Sequence, residues 1–119
     1  MNSNTIKRLN QINFENEIWI VYLIIIALSY YSNYLEKDYF INNNQKSKET
    51  YRKINTLIFT ALVLIYTYFE KDSLTSYINN KNKNNTLILT ATTLVLISGI
   101  IFLYIILEDT NLETEIAFN

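Results

Sequence analysis

The chain has no cysteine, no histidine and no proline, and its only glycine is Gly99. Without cysteine there is no disulfide framework and no thiolate chemistry, so redox compartment leaves no mark on it. Without histidine the commonest acid-base group and the commonest metal ligand are missing. A catalytic site would have to be assembled from carboxylates, lysine, tyrosine or serine converging in a pocket that excludes water. The carboxylate pairs Glu36/Asp38, Glu70/Asp72 and Glu108/Asp109 instead each follow an apolar stretch, where they hold a helix end in water. We therefore expect no enzyme, no cofactor and no metal site. Asp109, Asn111 and Glu113 mimic the start of a calcium loop, but Thr114 stands where the turn glycine belongs and no twelfth ligand follows. A formal charge of −1 gives no case for nucleic acid binding.

Charge is missing from long stretches too. All 10 basic and 11 acidic side chains lie outside residues 18–35, 54–69 and 84–107. The mean hydropathy of +0.06 is modest only because the polarity is segregated. Thr86 to Leu107 is free of charge throughout, and as a helix rising 1.5 Å per residue it spans roughly 33 Å, enough to cross a hydrocarbon core of about 30 Å. A chain of 119 residues cannot readily cover such a helix on every side with its own residues. The pattern predicts an all-α integral membrane protein with three transmembrane helices, 18–35, 54–69 and 86–107, packed as a small bundle. Around them lie a polar N-terminal tail (1–17), a basic polar loop (36–53), an Asn/Lys-rich loop (70–85) and an acidic C-terminal tail (108–119). The second span is the shortest. At about 24 Å it needs Arg52 and Lys53 to snorkel or the bilayer to thin.

Trp19 and Tyr22 at one end of the first span, and Tyr30, Tyr31 and Tyr34 at the other, suit the two headgroup regions. The apolar run 18–28 and the Ala27-Leu28-Ser29 at its end also resemble the core and cleavage site of a signal peptide, but Glu15 and Glu17 stand where positive charge belongs. The first helix is expected to stay attached. Helix by helix, the first and second spans carry more Lys and Arg on the 36–53 side, which places the N-terminus outside and the C-terminus in the cytoplasm. Tyr34-Leu35-Glu36-Lys37-Asp38 is echoed by Tyr68-Phe69-Glu70-Lys71-Asp72, which a narrow residue vocabulary produces by chance. The abundant Asn, Ile, Lys and Tyr have AT-rich codons, so the Asn-rich connections read as codon bias.

Small and hydroxyl residues mark possible packing faces. Ala91, Thr92, Ser98 and Gly99 fall within one arc of the third span; Thr56, Thr60 and Thr67 line the second, and Ser29 and Asn33 the first. In lipid, apolar contact gives helices little reason to associate, whereas small residues allow close approach and hydroxyls bond across the interface. The expected partners are the lipid bilayer and either a second copy or another membrane protein. The expected role is that of a non-enzymatic accessory subunit, assembly factor or anchor acting through helix-helix association. The alternative is a pore-forming protein in which the threonine rows line water. In size and span number the chain resembles a small three-span phage holin, but holin tails are usually basic and this one is acidic.

Overall fold

A computed structural model describes residues 2–110 and 112. Met1, Asn111 and 113–119, which hold most of the acidic tail and the Asn111 and Glu113 positions of its calcium-loop mimic, lie outside the described residues. The described chain is three α-helices with no strand: α1 Ser3–Asn42, α2 Gln45–Asn79 and α3 Lys83–Glu108. Each outruns its charge-free stretch, because no proline stops it and the flanking Lys, Glu, Gln and Leu are good helix formers. Most of 1–17, 36–53 and 70–85 is thus helical, and between Ser3 and Glu108 the chain leaves the helix only at 43–44 and 80–82.

Asparagine makes these ends. The side chains of Asn2, Asn44 and Asn82 each accept a hydrogen bond from a backbone N–H of the helix that follows, at 2.8 Å from Thr5, 3.1 Å from Lys46 and 2.7 Å from Asn85. Such caps are worth about 1 kcal/mol apiece. Asn43 takes the left-handed conformation at φ 52°, a place usually given to glycine. The fold uses asparagine at helix ends in a chain with no proline and a single glycine.

Helix α2 lies in the middle. Against α1 it runs antiparallel, with Phe14 on Tyr68 (ring centroids 4.7 Å apart) and Ser32 on Asn55. Against α3 it pairs Glu70 with Thr93 and Phe59 with Phe102 (centroids 5.9 Å). The backbones of α1 and α2 pack together, as do those of α2 and α3, while the backbones of α1 and α3 do not approach each other. The molecule is accordingly a layer, 59 × 26 × 16 Å, rather than a closed triangular bundle. Ile58, Phe59 and Ile106 form the buried centre, with Ile25 and Leu28 of α1 against them. The two Glu-Lys-Asp phrases make unlike contacts: Asp38, near the end of α1, accepts from Ser47, whereas Asp72, within α2, accepts from Gln11.

Helices α1 and α3 are long and apolar enough to cross a membrane; α2 is not. Only 17% of the most apolar stretch of α1 and 6% of that of α3 is buried. The central helix of a soluble domain would be mostly buried.

The first turn is tied by Asp38. Its carboxylate accepts from the Ser47 hydroxyl at 2.6 Å, from the Asn42 amide at 2.6 Å and from the Asn44 amide at 2.8 Å. These bonds, Ser47's the strongest, hold the Asp38 carboxyl below its usual range. The folded form therefore takes up the proton later than the unfolded one. Its stabilising share is complete above the unfolded value of about 3.9 and is lost as pH falls through the lower folded value. We expect the backbone amide resonances of Asn44 and Ser47 to titrate in that acid window, and Asp38→Ala to abolish the titration. Unchanged titration in the variant would assign it to another group.

Candidate functional site

No group of metal-ligating side chains occurs among the described residues, so the arrangement has to be read from its polar contacts and grooves. Three places interrupt the apolar packing.

The first is a polar layer. The carboxylate of Glu70 on α2 accepts from the hydroxyl of Thr93 at 2.8 Å and from that of Thr92 at 3.1 Å, both on α3. On the other side of α2, Gln11 donates to Asp72 at 3.0 Å, and Arg8 pairs with Glu15 at 3.6 Å. From sequence, Glu70 marks the end of the second span. The antiparallel register instead sets it against Thr92 and Thr93, about 10 Å along α3 from Thr86. An ionisable group thus lies beside the charge-free stretch of α3, held by two hydroxyls.

The second is the α2–α3 contact at Gly99. Gly99 is buried, and a Cβ built on it would lie 2.9 Å from Cδ2 of Tyr66 and 3.4 Å from Cγ2 of Val63. Glycine in a helix interior costs up to about 1 kcal/mol relative to alanine, and here it lets a tyrosine ring lie against the α3 backbone. Beside this contact is an apolar groove of about 380 Å³ lined by Phe59, Leu62, Tyr66, Val95, Ser98 and Phe102, among others. A second cavity of about 260 Å³ shares Tyr66 and Val95 with it and reaches Phe69, Thr92 and, across from α1, Tyr22.

The third is a buried polar pair. The Ser32 hydroxyl donates to Oδ1 of Asn55 at 2.7 Å, and both residues are 1% exposed. Nδ2 of Asn55 has no acceptor, and neither does the buried Nε of Arg52 one turn earlier on α2. An unsatisfied buried donor costs about 1–3 kcal/mol.

Of the residues singled out from sequence, Ala91 and Thr92 line the smaller cavity, and Ser98 and Gly99 the larger. Thr60, Thr67 and Asn33 are exposed, while Thr56 and Ser29 are half-buried. The hydroxyls of Thr56, Thr67, Thr86, Thr90 and Ser98 donate to the carbonyl four residues back, as hydroxyls in apolar helices do when no other partner is near. They are satisfied without water and without crossing to another helix of the chain. Sequence reasoning passed over Ser32, Asn55 and Tyr66, and read Glu70 only as a helix-end signal. The signal was present: Arg52, Asn55, Phe59, Leu62, Tyr66 and Phe69 recur at alternating steps of three and four, one stripe of a helix. No protein-family model, curated protein or solved structure matches the chain.

Proposed function

We propose that this chain is an integral membrane protein that crosses the bilayer three times, N-terminus outside and C-terminus in the cytoplasm. In this reading it acts without catalysis, by lateral association with other membrane helices, as an accessory subunit, assembly factor or anchor. The observation that carries the reading is the outward apolar surface. Trp19, Ile20, Leu23 and Ile24 on α1, and Leu87, Ile97, Ile101 and Tyr104 on α3, are all exposed. Monomeric soluble proteins rarely carry contiguous apolar patches beyond a few hundred Å². The short charge-free stretch of α2 suits the same reading, because α1 and α3 flank it and it need not meet lipid on every side.

Membrane fractions washed at alkaline pH and then dissolved in detergent test the first step. The chain should stay in the pellet until detergent is added; release by alkaline washing alone would overturn integral insertion. Reporters fused after Lys48 and Ser76, which sit near opposite ends of α2, should report opposite sides of the membrane, with Lys48 cytoplasmic. The same side for both would mean that α2 does not cross. Association is tested by crosslinking in native membranes, and a strictly monomeric chain with no crosslinked neighbour would remove it.

A further inference from the structure

The α1–α2 pair has two faces. Tyr22 and Tyr66 line one cavity together with Thr92 and Val95, so that face is the one on which α3 lies. At about 100° per residue, Glu17, Ile20, Ile24, Ala27, Tyr31 and Asp38 sit about 140° to 220° around α1 from Tyr22, on the other face. On α2 that other face carries Lys53, Leu57, Thr60, Leu64, Thr67 and Lys71, about 100° to 180° around from Tyr66. All of these but Asp38 are exposed. Each strip is apolar or small in the middle and charged at both ends, and the ends of α1 are acidic where those of α2 are basic. No ion pair to Glu17, Lys53 or Lys71 occurs among the described residues.

We propose that this open face binds a second copy of the chain, α1 of each copy lying on α2 of the other to close an antiparallel four-helix bundle with α3 outside it. The inference rests on the membrane reading above. Two copies inserted the same way up are related by a two-fold axis along the membrane normal, which brings equal depths together. The register between copies is then the one already present within a copy, with Phe14 against Tyr68 and Ser32 against Asn55. On that register Ala27 meets Thr60, and Ile24 meets Leu64, to within a turn. Small residues at this seam let the backbones approach, which apolar contact alone does not achieve in lipid. Glu17 lies near the level of Tyr66, about 7 Å short of Lys71. Side chains lean toward the N-terminus of their own helix, and because the two helices run oppositely, Glu17 and Lys71 lean toward each other. Asp38 and Lys53 are set the same way at the far end. The charges therefore name the partner. An α2-to-α2 contact would set Lys53 and Lys71 against their own copies, whereas α1 on α2 sets acid against base at both ends, twice over by symmetry.

The test uses differently labelled full chains in phosphatidylcholine vesicles, with energy transfer between labels reporting dimer at a series of protein densities. Glu17→Lys and Lys71→Glu should each weaken self-pairing about tenfold, since each attraction becomes a repulsion at two symmetric places. Mixed together, the two variants should pair with each other about as tightly as the wild type, because every contact between the copies is again acid on base. A salt bridge within one chain predicts no such preference. Contact is tested separately, on a chain that has no cysteine of its own. In native membranes treated with an oxidant, a chain carrying Ala27→Cys and one carrying Thr60→Cys should join in a disulfide that holds both tags. Ile26→Cys, which lies on the α3 side of α1, should not join Thr60→Cys. Helix content on the same samples checks folding, and should a charge variant fail to fold, the cysteine pairs still decide. The proposal is overturned if the variants show no preference for each other, if Ile26→Cys links as well as Ala27→Cys, or if Thr60→Cys captures a different protein in place of a second copy. A chain that fails these tests while resisting alkaline extraction loses the four-helix bundle and keeps the membrane reading.

Discussion

Leucine in place of Gly99 is expected to lever α3 off α2 and to lower the stability of the detergent-solubilised chain by about 3 kcal/mol, the upper part of the range for overpacking a filled contact. The space is already taken. A Cβ alone would come within 2.9 Å of one Tyr66 ring carbon and 3.1 Å of the next, and leucine adds three more heavy atoms to the same spot. Alanine should behave differently. It gains up to about 1 kcal/mol of helix propensity, against a shift of a few tenths of an ångström in the Tyr66 ring, and the two should nearly cancel. Shortening the partner tests the cause: Tyr66→Ala should restore much of what Gly99→Leu loses, so the double variant should be more stable than the sum of the singles predicts. Helix content followed through a denaturing-detergent titration supplies the numbers. A leucine variant as stable as the wild type would mean that α2 and α3 do not meet at Gly99.

The second large effect is expected at the buried pair of α1 and α2, and it changes sign on double substitution. Ser32→Ala removes the one bond that Asn55 makes and leaves its amide unpartnered at both ends in a place 1% exposed, a loss of about 1–3 kcal/mol. Adding Asn55→Leu to that background should recover most of the loss or exceed it, because both polar groups are then replaced by apolar ones of comparable size. The bond itself need not be strong. Interhelical hydrogen bonds in membranes average about 0.6 kcal/mol, and the larger figure reflects the orphaned amide. The same titration, run on the singles and the double, measures the coupling. Additive losses would show that Ser32 and Asn55 act independently.

Much of this architecture is legible from where charge is absent. The stretches 18–35, 54–69 and 84–107 lie in α1, α2 and α3 in that order, and the Asn-rich segments contain both turns. The true helix ends were not legible, since Lys, Glu and Gln sustain a helix as readily as they solvate a loop. Nor was the layer. A row and a closed triangle of helices ask for similar periodicities, and only the pairing of Ser32 with Asn55 on one flank of α2 and Glu70 with Thr93 on the other sets α2 in the middle. Threonine rows mislead for a physical reason. A hydroxyl on a helix can satisfy itself on its own backbone, as at Thr67 and Thr90, so its position says little about a neighbour. Asn55 has no such route for its amide and is the residue found buried.

If the chain is inserted as proposed, the place of Glu70 against Thr92 and Thr93 sets how thick a bilayer it can match. If the helices were aligned by their own apolar stretches, α3 would demand a full-width membrane. Packed as they are, the charges of α2 bound the layer at Glu70 on one side and Lys53 on the other. With Phe14 set on Tyr68 and Gln11 on Asp72, Glu17 of α1 falls near the level of Tyr66, so all three helices are free of charge together over only about 18 Å, against a hydrocarbon core of about 30 Å. On the proposed membrane reading, a chain of this build would pinch the lipid around it or gather where the membrane is already thin. Each ångström of mismatch costs only a fraction of a kcal/mol, yet that is enough to sort a protein between compartments and to draw similarly short neighbours to its side.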